Sequence, residues 1–226
     1  MVAAASSLRG AFDDIARAFE EETGTSVTIS FGSSGQLAQQ IENGAPFDVF
    51  ASANEAYVDR LAERGFVLLD TRRVYARGRL ALVVNRERGA SVKRLEDLAD
   101  PSLGPIAIAN PDHAPYGLAA YQALERRRLW EQVRSRIVMG ENVRQALQFV
   151  QIGDAPVGIV ALSIADVPEV DYTPISTELH DPLNQTLVIL RDSRHPELAR
   201  RFVAFVTGTA GRAILQRYGF LLPEEP

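Results

Sequence analysis

The chain has 226 residues, 46% of them hydrophobic and 23% charged, with a net charge of −5 and no cysteine. That length allows either one large α/β unit or two lobes of about 100 residues each, and no apolar run approaches the roughly 20 residues of a transmembrane helix. The acidic balance excludes a general binder of nucleic acid or anionic membrane, which needs a concentrated basic face. The absence of cysteine excludes disulfides, thiolate nucleophiles and cysteine-ligated metals, but leaves the compartment open.

Met1 is followed at once by Val2-Ala3-Ala4-Ala5, with neither a basic n-region nor a long apolar stretch, so this start is not a signal peptide. A leader already removed from a secreted chain is the expectation, with a cytosolic protein as the alternative. Val2 to Ala5 reads as a short buried strand. Leu8, Phe12, Ile15, Ala16 and Phe19 then recur at helical spacing up to Thr23-Gly24. Ser26 to Phe31 alternates as a second strand, Gly32-Ser33-Ser34-Gly35 is a polar turn, and Leu37, Ala38 and Ile41 mark a short helix ending at Asn43-Gly44. Phe47 to Ala51 is a third strand, Ala53 to Arg64 a helix stopped by Gly65, and Leu80 to Val84 a strand preceded by the irregular Arg77-Gly78-Arg79.

The alternation then continues with helix Val92 to Leu98, strand Ile106 to Ala109, helix Leu118 to Leu129, strand Ile137 to Met139, helix Val143 to Ile152 and strand Val157 to Val160. Such a rhythm implies parallel sheets covered by helices. An extended stretch from Gln185 to Leu190 precedes a C-terminal amphipathic helix carrying Leu198, Phe202, Phe205 and, beyond Gly208, Ile214 and Leu215.

Four strand-to-helix junctions carry small hydroxyl or glycine residues where a helix begins: Ala5-Ser6-Ser7, Gly32-Ser33-Ser34-Gly35, Pro115-Tyr116-Gly117 and Glu141-Asn142-Val143. Each offers backbone N–H groups at the positive end of a helix dipole, and in an open α/β sheet such junctions lie at the carboxyl ends of the strands, where ligands bind. Singly, each reads as ordinary capping; four together point to an anion. The second junction is neither a P-loop, since it lacks the Gly-Lys-Ser/Thr ending, nor a hydrolase elbow. His113, His180 and His195 have no metal-ligand spacing. Asp48 and Glu55 read as a cap or solvated face rather than an acid/base pair, and Arg126-Arg127-Arg128 as an exposed face salt-bridged beside Glu125 and Glu131. Tyr57, Tyr75 and Tyr172 read as packing residues.

With these segments in view, the sequence resembles the periplasmic molybdate-binding proteins of ABC importers nearly end to end. The resemblance rests on Ala3-Ala4-Ala5-Ser6, Phe31-Gly32-Ser33-Ser34-Gly35 with Leu37-Ala38 and Gln40-Ile41, and Gly44-Ala45-Pro46 leading to Asp48-Val49-Phe50-Ala51-Ser52-Ala53. It continues in Asn110-Pro111-Asp112-His113 with Pro115 and Gly117, Asn142-Val143-Arg144 with Ala146-Leu147, Ala155-Pro156 with Gly158-Ile159-Val160, and the closing Arg217-Tyr218-Gly219-Phe220.

The resemblance implies an α/β, two-lobed type II periplasmic binding protein fold, with mixed, mostly parallel sheets flanked by helices and the ligand in the cleft between lobes. Lobe one would hold residues 1–76 plus 177–226 and lobe two residues 77–176. Ser6 and Ser34 match the family's hydroxyl donors and Val143 a backbone N–H donor, while Ser7 and Tyr116 stand at more variable positions. Many members carry a small residue in place of Tyr116 and a tyrosine in place of Ala161; here the phenol of Tyr116 is expected to do what Ala161 cannot. Function follows as capture of molybdate, and of tungstate, for the membrane permease of an importer, by a monomer that is not an enzyme. The ligand is met through its oxygens, without cofactor, direct metal ligand or nucleic acid. Carriage of another oxyanion such as sulfate, and a ligand-sensing module cut from a transcription regulator, are the alternatives; an acyl hydrolase using Ser33 or Ser34 is a third, without a histidine placed to serve it.

Overall fold

A computed structural model describes residues 1–88 and 92–223. Along the chain run β1 (Val2–Ala5), a 3-10 turn (Ser6–Leu8), α1 (Arg9–Thr23), β2 (Ile29–Gly32), α2 (Ser34–Glu42), β3 (Val49–Ser52), α3 (Glu55–Glu63), β4 (Val67–Gly78) and β5 (Leu80–Asn85). There follow 3-10 turns at Leu95–Ala99 and Pro101–Leu103, β6 (Ile106–Ala109), α4 (Pro115–Arg126), α5 (Trp130–Val133), β7 (Ile137–Gly140), α6 (Val143–Gln151), β8 (Val157–Ala161) and β9 (Val170–Pro174). The chain closes with β10 (Leu183–Leu190), α7 (Pro196–Thr207) and α8 (Thr209–Arg217).

Two compact units result: Met1–Gly78 with Asn184–Pro226, and Arg79–Leu183. The first crossing, expected at 76/77, lies at 78/79, and the second, expected at 176/177, lies at 183/184. The later second boundary has a local cause. Strand β9 pairs with β5, and the stretch after it is fastened to α4: Gln122 donates to Asp181 at 2.8 Å and accepts from its N–H at 2.9 Å. Arg126 adds a hydrogen bond to the Glu178 carbonyl at 2.8 Å and an ion pair with Asp181 at 2.6 Å.

The first unit holds a five-stranded sheet ordered β2-β1-β3-β10-β4. Strand β1 is parallel to both β2 and β3, and β10 runs antiparallel to β3, so the sheet is mixed. All four residues of β1 are buried, as a central strand covered on both faces requires. One core cluster joins Leu37, Ala38 and Ile41 of α2 to Phe50, Val58, Leu61 and Val188. Phe12 and Phe19 of α1 meet Phe202 of α7 edge-on, with ring centroids 6.2 and 5.4 Å apart. The second unit repeats the plan in the order β7-β6-β8-β5-β9, with β6 parallel to β7 and β8, and β5 antiparallel to β8 and β9.

Four local expectations need correction. Strand β4 fills a stretch to which the sequence pattern assigns no element and takes in Arg77 and Gly78 of the segment expected to be irregular; it is a sheet edge whose Asp70, Arg72, Arg73 and Arg77 break the apolar alternation. Strand β9, an edge of the second unit's sheet, is exposed at four of its five positions, and Tyr172 on it is 42% exposed rather than packed. Val92 to Leu98 is not an α-helix: Asp97 accepts the N–H groups of Lys93 and Arg94, which fixes a 3-10 turn at Leu95–Ala99. Helix α4 begins at Pro115, earlier than Leu118, because proline fits the first helical position without loss of a hydrogen bond.

Buried Thr71 shows how firmly the β4 edge is held. Its hydroxyl donates to the Leu68 carbonyl at 2.6 Å and accepts from the Ile189 N–H of β10 at 3.0 Å. Thr71→Val is expected to destabilise the protein by about 1–3 kcal/mol, the usual cost of stranding a buried donor. Urea unfolding reads the change directly, and an unmoved midpoint would show that this bond contributes nothing.

Candidate functional site

The registers place the functional residues. In the first unit Ala5 pairs with Gly32 and Ala4 with Ala51, so the chain leaves β1, β2 and β3 at the same, carboxyl edge of the sheet. Ser6 and Ser7 follow β1 in the 3-10 turn, Ser34 opens α2, and Ala53 follows β3. Ser6 is 4% exposed, Ser7 1% and Ser34 0%. These three predicted residues therefore share one edge of one unit, in buried surroundings where a hydroxyl is costly to leave idle.

At α2 the two serines divide the work. Ser33 is the N-cap: its Oγ accepts from the Gln36 N–H at 3.4 Å and its carbonyl from the Leu37 N–H at 3.0 Å. Ser34, one residue on, is spared that task. Its Oγ instead accepts from the Ala53 N–H at 3.0 Å, a buried bond that occupies one lone pair and leaves the O–H able to donate. Ala53 was not singled out by the sequence; the Ser52-Ala53-Asn54 run after β3, where Ser52 and Asn54 bond each other and Asn54 caps α3, was the available signal.

In the second unit Ala109 pairs with Gly140, and the Asn110 N–H donates to the Gly140 carbonyl at 2.8 Å, so the loops after β6 and β7 are joined at the carboxyl edge. Tyr116 lies in the first turn of α4 and is 2% exposed. Asn142 caps α6, its Oδ1 accepting from Arg144 at 3.0 Å and Gln145 at 3.2 Å while its carbonyl takes the Ala146 N–H at 3.1 Å. Val143 N–H is the first-turn donor that this cap leaves over. Ala161 ends β8 at the same edge, fully buried and without a polar side chain.

The helix ends at both edges are compatible with an anionic ligand. Helices commonly place an acid in the first turn to meet their dipole, as α3 does with Glu55 and α7 with Glu197. The 3-10 turn at Ser6, α2, α4 and α6 carry none, and neither do α1 and α8, so these ends are open to an anion without being singled out by it.

The residues set aside by the sequence behave as framework. Asp48 accepts from the Met1 amine at 2.5 Å, Ser193 at 2.7 Å and the His195 N–H at 3.2 Å; burial works against its charge, but these bonds hold its carboxyl below the usual range. Glu55 pairs with Arg72 and accepts from Asn184. His180 is buried with Nδ1 on the Asp181 carbonyl, and desolvation lowers its pKa. His113 lies 3.9 Å from Glu141. Arg126 and Arg127 pair with Asp181 and Glu96, not with the neighbouring Glu125 and Glu131 as expected. No group of three or more potential metal ligands occurs among the described residues, and no described helix is long and apolar enough to cross a membrane.

Two α/β units, each with neutral donors gathered at the carboxyl edge of its sheet, define a binding protein of the two-unit solute-capturing class. Residues 1–221 match the family model described as bacterial extracellular solute-binding protein. The molybdate-binding protein ModA of Azotobacter vinelandii is 33% identical over 97% of this chain and 88% of its own, and that of Escherichia coli is 30% identical over 98% and 88%. The solved periplasmic molybdate-binding protein of Azotobacter vinelandii superposes with a TM-score of 0.92 at 34% identity, covering 99% of both chains. The chain belongs to the bacterial extracellular solute-binding proteins, in the group that includes these molybdate-binding relatives.

Proposed function

We propose that this protein captures a tetrahedral oxyanion, molybdate or tungstate, outside the cytoplasm and delivers it to the membrane permease of an ABC importer, with no chemistry performed on it. The reading rests on the division of labour at α2 and α6: Ser33 and Asn142 cap the helices, which leaves the Ser34 hydroxyl and the Val143 N–H for a ligand. The names of the relatives supply the identity of the anion.

Ser6, Ser7 and Ser34 are the donors of one unit, Tyr116 and the Val143 N–H those of the other. Charge-assisted hydrogen bonds from neutral dipoles replace the hydration shell of a dianion without any cation in contact. The phenol of Tyr116 takes the part that Ala161, with a methyl group, leaves open. Donors alone also disfavour protonated oxyanions such as phosphate, whose O–H finds no acceptor; sulfate is separated by size. The metal atom is reached only through its oxygens, and no resident cofactor is needed.

Calorimetric titration with molybdate, tungstate, sulfate and phosphate tests the proposal. Saturable one-site binding of the first two, well ahead of the others, is expected. Absence of binding by both molybdate and tungstate overturns it, and a clear preference for sulfate reassigns the ligand.

A further inference from the structure

We propose that Arg9 is an electrostatic steering residue for the anion, drawing it toward the Ser6, Ser7 and Ser34 edge without becoming one of its ligands. The proposal rests on the oxyanion reading above and adds a residue to it. Arg9 opens α1 directly after the Ser6–Leu8 turn, and Phe31 directly precedes Gly32-Ser33-Ser34. The guanidinium carbon lies 4.6 Å from the Phe31 ring centroid, and Phe31 is anchored in β2 opposite Ala4 of β1. A long exposed side chain is thus held at the carboxyl edge of the sheet by a ring.

The choice of partner is informative. Asp13 stands one turn further along α1, where an ion pair with Arg9 would be ordinary, yet Arg9 makes no ion pair among the described residues. Its charge is not neutralised by a carboxylate. The guanidinium is thus a positive charge on the same edge as donors that are all neutral. The chain as a whole carries −5 and repels a dianion at long range, and a fixed local cation opposes that repulsion on the side where the anion arrives. A steering charge acts through solvent, and salt screens it; a ligand in the site is screened far less.

That difference is the test. Molybdate affinity is measured by calorimetry on the full chain and on Arg9→Gln, Arg9→Glu, Arg9→Lys and Ser34→Ala, at salt of about 0.01 M and about 1 M, where the Debye length falls from roughly 30 to roughly 3 Å. At low salt Arg9→Gln is expected to weaken binding by about three- to tenfold, Arg9→Glu by more, and Arg9→Lys by less than about twofold. At high salt all three should converge on the parent protein, whereas the Ser34→Ala deficit should persist.

Equal affinity of Arg9→Gln and parent at low salt overturns the proposal, and so does an Arg9→Gln deficit of the same size at both salts, which would make Arg9 a direct ligand. If the parent protein binds neither molybdate nor tungstate, the oxyanion reading itself has failed, and that arm is separate from the variants.

Discussion

Replacement of Gly117 by alanine is expected to lower both stability and anion affinity, although alanine is the better helix former. A Cβ at Gly117 would lie 2.2 Å from the Ala109 carbonyl oxygen, 2.7 Å from its carbon and 2.9 Å from the Asn110 carbonyl carbon. All three are backbone atoms of the turn that leaves β6, so no side chain can swing away. The intrinsic gain of alanine over glycine in a helix is about 1 kcal/mol, while forced overpacking costs about 1–3 kcal/mol. The clash prevails, and relief requires the first turn of α4 to move, with Tyr116 in it. A lowered melting temperature together with weaker molybdate binding is the expected pair of results. Unchanged values of both would show that α4 tolerates the methyl group and that its close seat on β6 does not position Tyr116.

Ser34→Ala is expected to weaken molybdate binding by about 1.5–3 kcal/mol, the range for a hydrogen bond to a charged partner. In affinity this is roughly ten- to more than a hundredfold. The same substitution removes the acceptor of the buried Ala53 N–H, so some thermal stability goes with it. Ser33→Ala separates the two effects. It deletes the cap on Gln36, costing about 1 kcal/mol of stability, but leaves the Ser34 hydroxyl in place. Calorimetry should therefore rank Ser34→Ala far below Ser33→Ala in affinity, and comparable affinities would remove Ser34 from the site.

What could be read from the sequence follows the strength of the local pattern. Central strands such as Val2–Ala5 and Ile106–Ala109 are continuous apolar runs, and α1 ends where Gly24 takes a left-handed φ of 69°; both kinds of signal lie in a few adjacent residues. The edges β4 and β9 were not legible because polar, exposed residues interrupt them, unlike the edges β2 and β7, which kept an apolar pattern that could be read. The 3-10 turn at Leu95–Ala99 was missed for a different reason: a helical spacing of apolar residues does not reveal that Asp97 will close the turn upon its own N-terminal neighbours.

At the candidate site the residue types were visible, but their roles came from the resemblance and not from the local pattern. Ser33 and Ser34 are chemically identical, and only the fold decides which one caps and which one is left to donate. That decision comes from Ala53, distant in sequence and brought alongside by the parallel register of β1 with β3. Arg9 was not singled out either, since nothing in an exposed arginine foretells that it will lie on a ring in the neighbouring strand rather than on Asp13.

The strand order of the first unit also bears on how the chain must mature. Strand β10 lies between β3 and β4, so β4 waits without that neighbour until the polypeptide beyond residue 183 has been made. The five strands of the second unit, by contrast, follow one another within Arg79–Leu183. Emerging from a ribosome or a translocation pore, the inserted segment can gather all its pairing partners while the outer one still exposes an incomplete sheet. The sheet completed last, and with it the unpaired edge of the growing chain, is therefore expected in the half that carries Ser6 and Ser34.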